Sequence, residues 1–157
     1  MPRARTGRCD IRTNLKILAA VLTLASWLYA GLAAAGAERR LSLMADQAGK
    51  GATAEAVITD KGGDQTEVVI TAIGLKPGAV HTVWLVNMKA KMDMAGLGTG
   101  DYSFRTDEKG SARYAATISP SELKKCQLQE IAYHPSGDPK NMHEMMGNIV
   151  LKAMLGE

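Results

Sequence analysis

From residue 39 onward apolar and polar side chains alternate with a period of two, and Gly, Pro, Asp or Lys breaks the pattern at short, regular intervals. Successive side chains of an extended backbone point to opposite faces, so this rhythm predicts short strands joined by turns rather than helices. Leu41 and Leu43 alternate with polar neighbours in a first strand. In residues 52–59 small apolar residues alternate with Thr53, Glu55, Val57 and Thr59, which predicts one packed and one largely wet face. Residues 65–73 are rich in Thr, Val and Ile and form the next strand. Asp60-Lys61-Gly62-Gly63-Asp64 and Lys76-Pro77-Gly78 are turns, because glycine reaches positive φ and proline presets its own.

Residues 80–88, VHTVWLVNM, are apolar on both faces and predict a central strand, with Val80, Thr82, Trp84, Val86 and Met88 on one side and His81, Val83, Leu85 and Asn87 on the other. A glycine-containing loop over 89–100 leads to a short strand near Tyr102 to Arg105. Asp107-Glu108-Lys109-Gly110 is then expected to close a hairpin onto 111–118. Ser119-Pro120-Ser121-Glu122 is a capping box with proline at the first helical position, which predicts one short helix ending near Cys126. Residues 127–134 return to strand, 135–147 read as loop, and 148–155 form the last strand. The expected fold is therefore all-β: a seven- to eight-stranded antiparallel β-sandwich of immunoglobulin or cupredoxin type with one short helix.

The amino-terminal segment follows other rules. Residues 1–16 are basic, and 21 positions from Ile17 to Ala37 carry no charge and close on Ala35-Gly36-Ala37 before Glu38-Arg39-Arg40. This order predicts a cleaved signal peptide over 1–37 and a single domain over 38–157, periplasmic or secreted, with no membrane span after cleavage. A span of this length also suffices for an uncleaved anchor, but its Ala- and Gly-rich end favours the peptidase. Residues 38–157 hold 14 basic and 15 acidic side chains, net −1. The basic balance of the whole chain thus belongs to its leader, and a nucleic-acid binder is excluded by the lack of a basic surplus on the folded part. Cys126 would be the sole cysteine of the exported domain, which therefore has no internal disulfide; it is expected as a small, partly buried side chain.

Eight of the nine methionines lie beyond residue 37, and six of them fall in two expected loops, Met88-x3-Met92-x-Met94 and Met142-His143-Glu144-Met145-Met146. Thioether and imidazole donors together suit Cu(I), so Met92, Met94, His134, Met142, His143 and Met145 are the candidate ligands of a copper site, should the two loops meet. Two other readings compete: the methionines plug the end of the core as flexible gap-fillers, or they line a surface for an envelope protein partner. A blue-copper centre is excluded, because Cys126, His134 and Met142 are eight residues apart rather than gathered in one tight loop. Zinc lacks paired-ligand spacing, and the Gly96–Gly100 run has no following helix to hold a phosphate. Asp107-x-x-Gly110 lacks the alternating oxygens of a calcium loop. No strained serine elbow is present, and His81 within a strand reads as a satisfied core histidine rather than a base. The expected function is non-enzymatic binding.

VHTVWLVN at 80–87, EIAYHPSGDPKNM at 130–142 and the strand NIVLKAML that closes the chain resemble the extracytoplasmic domain of RskA-type anti-sigma factors. The resemblance implies a small β-sandwich on the outer side of the cytoplasmic membrane. It does not carry over anti-sigma activity, because only a short basic leader precedes the apolar segment. His134-Pro135 stands where that family has Glu-Pro, and the methionine-rich insertions have no counterpart there.

Overall fold

The computed structural model describes residues 36–89 and 91–156, so the expected leader lies outside the described residues except for Gly36 and Ala37. Nine strands form one antiparallel sheet: β1 (Glu38–Ala45), β2 (Thr53–Gly62), β3 (Gln65–Ile73), β4 (Val80–Asn87), β5 (Asp93–Gly96), β6 (Ser103–Arg105), β7 (Ala112–Ile118), β8 (Leu128–His134) and β9 (Ile149–Met154). Helix α1 spans Pro120–Lys125 and α2 spans Met142–Gly147. The strand order is β5-β4-β8-β9-β1-β2-β3-β7, with β6 also on β4.

The sheet curls because β1 serves two neighbours. Glu38 to Leu43 pair with β2, whereas Met44 and Ala45 pair with β9. The sheet, of sections β1-β2-β3-β7 and β5-β4-β8-β9, is thereby curled, and the period-two pattern explains which side chains meet in the main core. Ala54, Ala56 and Ile58 of β2 and Val68, Ile70 and Ala72 of β3 point inward, against Val83 and Leu85 of β4, Ile131 of β8 and Leu151 and Ala153 of β9. The intervening residues of β2 and β3 face water, as their alternation predicts.

Asp107–Gly110 forms a turn, with the Asp107 N–H bonded to the Ser111 carbonyl at 2.8 Å, but it does not close the expected hairpin. Strand β6 pairs with β4 and β7 pairs with β3, so this turn carries the chain from one section to the other. Local turn chemistry fixes the reversal of direction; it does not fix which strand receives the returning backbone. The seam between β7 and the β5/β6 edge is sealed by side chains. Tyr114 donates its hydroxyl to the Leu97 carbonyl and meets the Phe104 ring at 5.9 Å. Gly98, at φ +95°, lies where an added Cβ would come within 2.7 Å of the Ala116 methyl.

Helix α1 forms as its capping box predicts. Ser119 accepts the Glu122 N–H at 3.2 Å, Pro120 opens the first turn, and Lys124 and Lys125 occupy the last. The expectation of a single short helix is corrected by α2, which lies inside the segment 135–147 read as loop. The Lys89–Gly100 stretch also contains a strand, β5, which brings the count to nine. Among the described residues no helix is long and apolar enough to cross a membrane.

Candidate functional site

The outer face of β4, β8 and β9 is not left to solvent. Pairing sets Thr82 beside Ala132, and Ala132 beside Ile149. Trp84 lies on the same face as Thr82, two residues along. Met145 of α2 packs onto this surface as the helix's one buried residue, joined by Met94, Tyr102 and Ile149 around Trp84 and Ala132. This second, smaller core holds Trp84 at 8% exposure.

Polar groups fix the indole and the strand end behind it. Trp84 donates its Nε1–H to the Thr82 hydroxyl at 2.7 Å, and the same hydroxyl is hydrogen-bonded to Nε2 of His134, 2.8 Å away. The other ring nitrogen of His134, Nδ1, is buried without a hydrogen-bond partner among the described residues. On the neighbouring strand Gly96 sits opposite Trp84 in the register. A Cβ there would overlap the Tyr102 ring, so glycine is what admits that ring against the indole, edge-on at 5.6 Å.

Helix α2 is held in place from its own amino terminus. Asn141 accepts the Glu144 N–H, and the Glu144 carboxylate accepts from the Ser136 N–H at 3.1 Å and the Ser136 hydroxyl at 2.9 Å. This closes the 135–141 loop against the helix. Between that loop and residues 100–102 runs a cleft of about 720 Å³ with Trp84 among its lining residues, together with Asp101, Tyr102, Lys140 and Met142. Its size falls within the usual ~300–1,000 Å³ of small-ligand pockets.

The six expected metal ligands distribute unevenly about this cleft. Met94 and Met145 belong to the cluster around Trp84, and Met142 lines the cleft beside the indole at 44% exposure. His134 is buried, with one nitrogen already bonded to Thr82. Met92 stands in solvent at 75% exposure, and His143 is an exposed residue of α2. Thus three thioethers, Met94, Met142 and Met145, gather near Trp84, while Met92 and His143 stand outside. Among the described residues there is no group of three or more His, Cys, Asp or Glu positioned to hold a metal.

Three features were not legible as site chemistry from the sequence. The Trp84–Thr82–His134 chain joins residues of two strands and depends on their register. Helix α2 had a usable signal, Asn141 followed three positions later by Glu144, which is the same cap logic that located α1. His81 is buried as expected of a core histidine, but it is not satisfied: it lies between the rings of Phe104 and Tyr133, at 5.4 and 5.5 Å, and neither nitrogen has a hydrogen-bond partner among the described residues. Burial lowers its pKa to about 4, with a smaller push from His134 in the same direction and an opposing effect of the Ala79 backbone. Cys126 donates its thiol to the Glu122 carbonyl, and burial first, then the Glu122 and Asp93 charges, raise its pKa.

Comparison of the chain with protein-family models, with curated proteins and with solved structures finds no match in any of the three.

Proposed function

We propose that this chain is a non-enzymatic binding protein of the cell envelope or its exterior, with a sandwich-like arrangement of its two sheet sections, that takes up a soft monovalent cation, Cu(I), at the Trp84 cleft. The observation that carries this reading is the gathering of Met94, Met142 and Met145 around one indole, with Met142 on the cleft wall where an arriving ion meets it first. Thioethers are soft, uncharged donors that suit Cu(I) and discriminate against hard divalent ions. The indole face beside them attracts a cation through its quadrupole. The rest of the surface supports the same chemistry: of the seven large hydrophobic side chains described as exposed, six are methionines, including Met92 and Met146. The basic and apolar order of residues 1–37 supports export to an oxidising compartment, where the handling of copper is a recurring task.

Competition of the full chain with a coloured Cu(I) chelator tests the proposal. One Cu(I) per chain is expected, and it should be lost in the Met94→Leu/Met142→Leu double variant. No uptake at micromolar copper overturns the reading.

A second reading keeps the fold and drops the metal. Met44 lies opposite Lys152 in the β1–β9 pairing, and Met154 stands two residues beyond; both methionines are exposed, on the face of the sheet that the register shares with Trp84, and neither lines the cleft. Flexible thioethers of this kind adapt to protein partners. Envelope pull-downs with Met44→Lys/Met154→Lys and with the Met94/Met142 variant separate the readings, since loss of a partner with the former alone favours the surface.

A further inference from the structure

A second cavity, of about 620 Å³, opens at the end of the main core beneath α1, remote in chemistry from the methionine cleft. Its apolar lining comes from Ile58 of β2, Leu123 of α1 and Leu155, all buried members of the main core cluster. Arg39, Lys89 and Lys124 stand on the same lining as exposed residues. Among the described residues none of the three cations has a carboxylate within ion-pair distance, in contrast to Arg40, Lys61, Lys125 and Lys152, each of which is paired. Asp60 is the one acid of the lining, and it accepts the Gly62 N–H at 2.8 Å. Arg39 is oriented by donating to the Leu155 carbonyl at 2.7 Å, which ties one cation to the edge of the apolar floor.

Hydrophobic side chains lining an open cavity, with cations that have no ion-pair partner among the described residues at its rim, constitute a two-part recognition surface. The floor is complementary to a hydrocarbon tail, because removing apolar area from water is favourable in proportion to the area buried. The rim is complementary to an anionic head, and lysine stems can lie along the tail while their ammonium groups stay wet. A neutral apolar ligand would leave the cations unused, and a cationic one would be repelled.

We infer that this cavity binds a single-chain anionic amphiphile, an alkyl carboxylate whose tail enters over Ile58, Leu123 and Leu155 and whose head lies between Arg39, Lys89 and Lys124. The inference is independent of copper, as it uses no residue of the Trp84 cleft.

The probe is dodecanoate, titrated below its micelle concentration into the full chain by calorimetry, with dodecanol and dodecyltrimethylammonium as neutral and cationic controls. Saturable binding of one dodecanoate is expected, weakened by added salt because the head contacts are exposed. Reversing two rim charges in Lys89→Glu/Lys124→Glu should weaken it by about tenfold or more, the equivalent of about 1.4 kcal/mol. Both lysines are exposed, so this variant retains its core, and unchanged thermal unfolding would show it. Leu123→Trp, which fills the floor, should abolish binding in any preparation that folds. Equal affinity for the cationic control, indifference to the Lys89/Lys124 reversal, or no saturable binding of dodecanoate overturns the proposal.

Discussion

His81 makes acid sensitivity of this fold predictable in sign and size. The side chain is fully buried between two aromatic rings with no hydrogen-bond partner among the described residues, and burial lowers its pKa to about 4. In the unfolded chain an imidazole titrates near its ordinary value of about 6.5. Below that pH the unfolded state takes up a proton that the folded state refuses, so the stability tied to neutral His81 is complete above about pH 6.5 and is lost as pH falls toward 4. For pKa values of about 4 and about 6.5 the loss is about 2 kcal/mol at pH 5 and about 3 kcal/mol at pH 4. His81→Phe keeps an aromatic ring in the stack and removes the proton site. Urea unfolding at pH 7, 6, 5 and 4.5 should show the difference in stability between the two proteins moving toward the variant by these amounts as pH falls. The carboxylates, including Asp46, which the Lys152 hydrogen bond holds below its ordinary range, are common to both proteins and cancel in the comparison. Parallel pH profiles for wild type and variant would show that His81 is not held neutral by burial.

Thr82→Val removes the hydroxyl that links Trp84 to His134 and leaves two buried nitrogens unpaired, at an expected cost of about 2–4 kcal/mol in denaturant unfolding. Met145→Ala should cost about 2–5 kcal/mol by opening a cavity under α2, whereas Met146→Ala on the exposed side should stay within about 0.5 kcal/mol by the same assay. Gly98→Ala combines a positive φ with a Cβ pressed on Ala116, and should lower stability by about 1–3 kcal/mol, read as a shift of the thermal midpoint. Ser119→Ala removes the cap of α1, with a loss of about 1 kcal/mol.

Most of the strands were legible because their side chains face only two environments. Thr66, Val68, Ile70 and Ala72 alternate along β3 and are all buried, and β7 repeats the pattern more weakly with Ala112, Tyr114, Ala116 and Ile118. Pairing was less legible. Nothing in Asp107–Gly110 states that the strand after it joins β3 rather than β6, since that choice is made by the core it completes. Strand β4 is buried on both faces, and so its periodicity could not say that one side meets the main core and the other meets α2. The same ambiguity governed the methionines. Composition predicted that thioethers matter, but whether a given one is exposed, like Met92, or sealed, like Met145, depends on a six-residue helix that registers only through Asn141 and Glu144.

X-ray absorption at the copper edge of the full chain, loaded with one equivalent of Cu(I), tests the account most directly. A coordination shell dominated by sulfur is expected, and it should disappear with Met94→Leu/Met142→Leu. A shell of nitrogen and oxygen alone, or a sulfur shell indifferent to that variant, would contradict it.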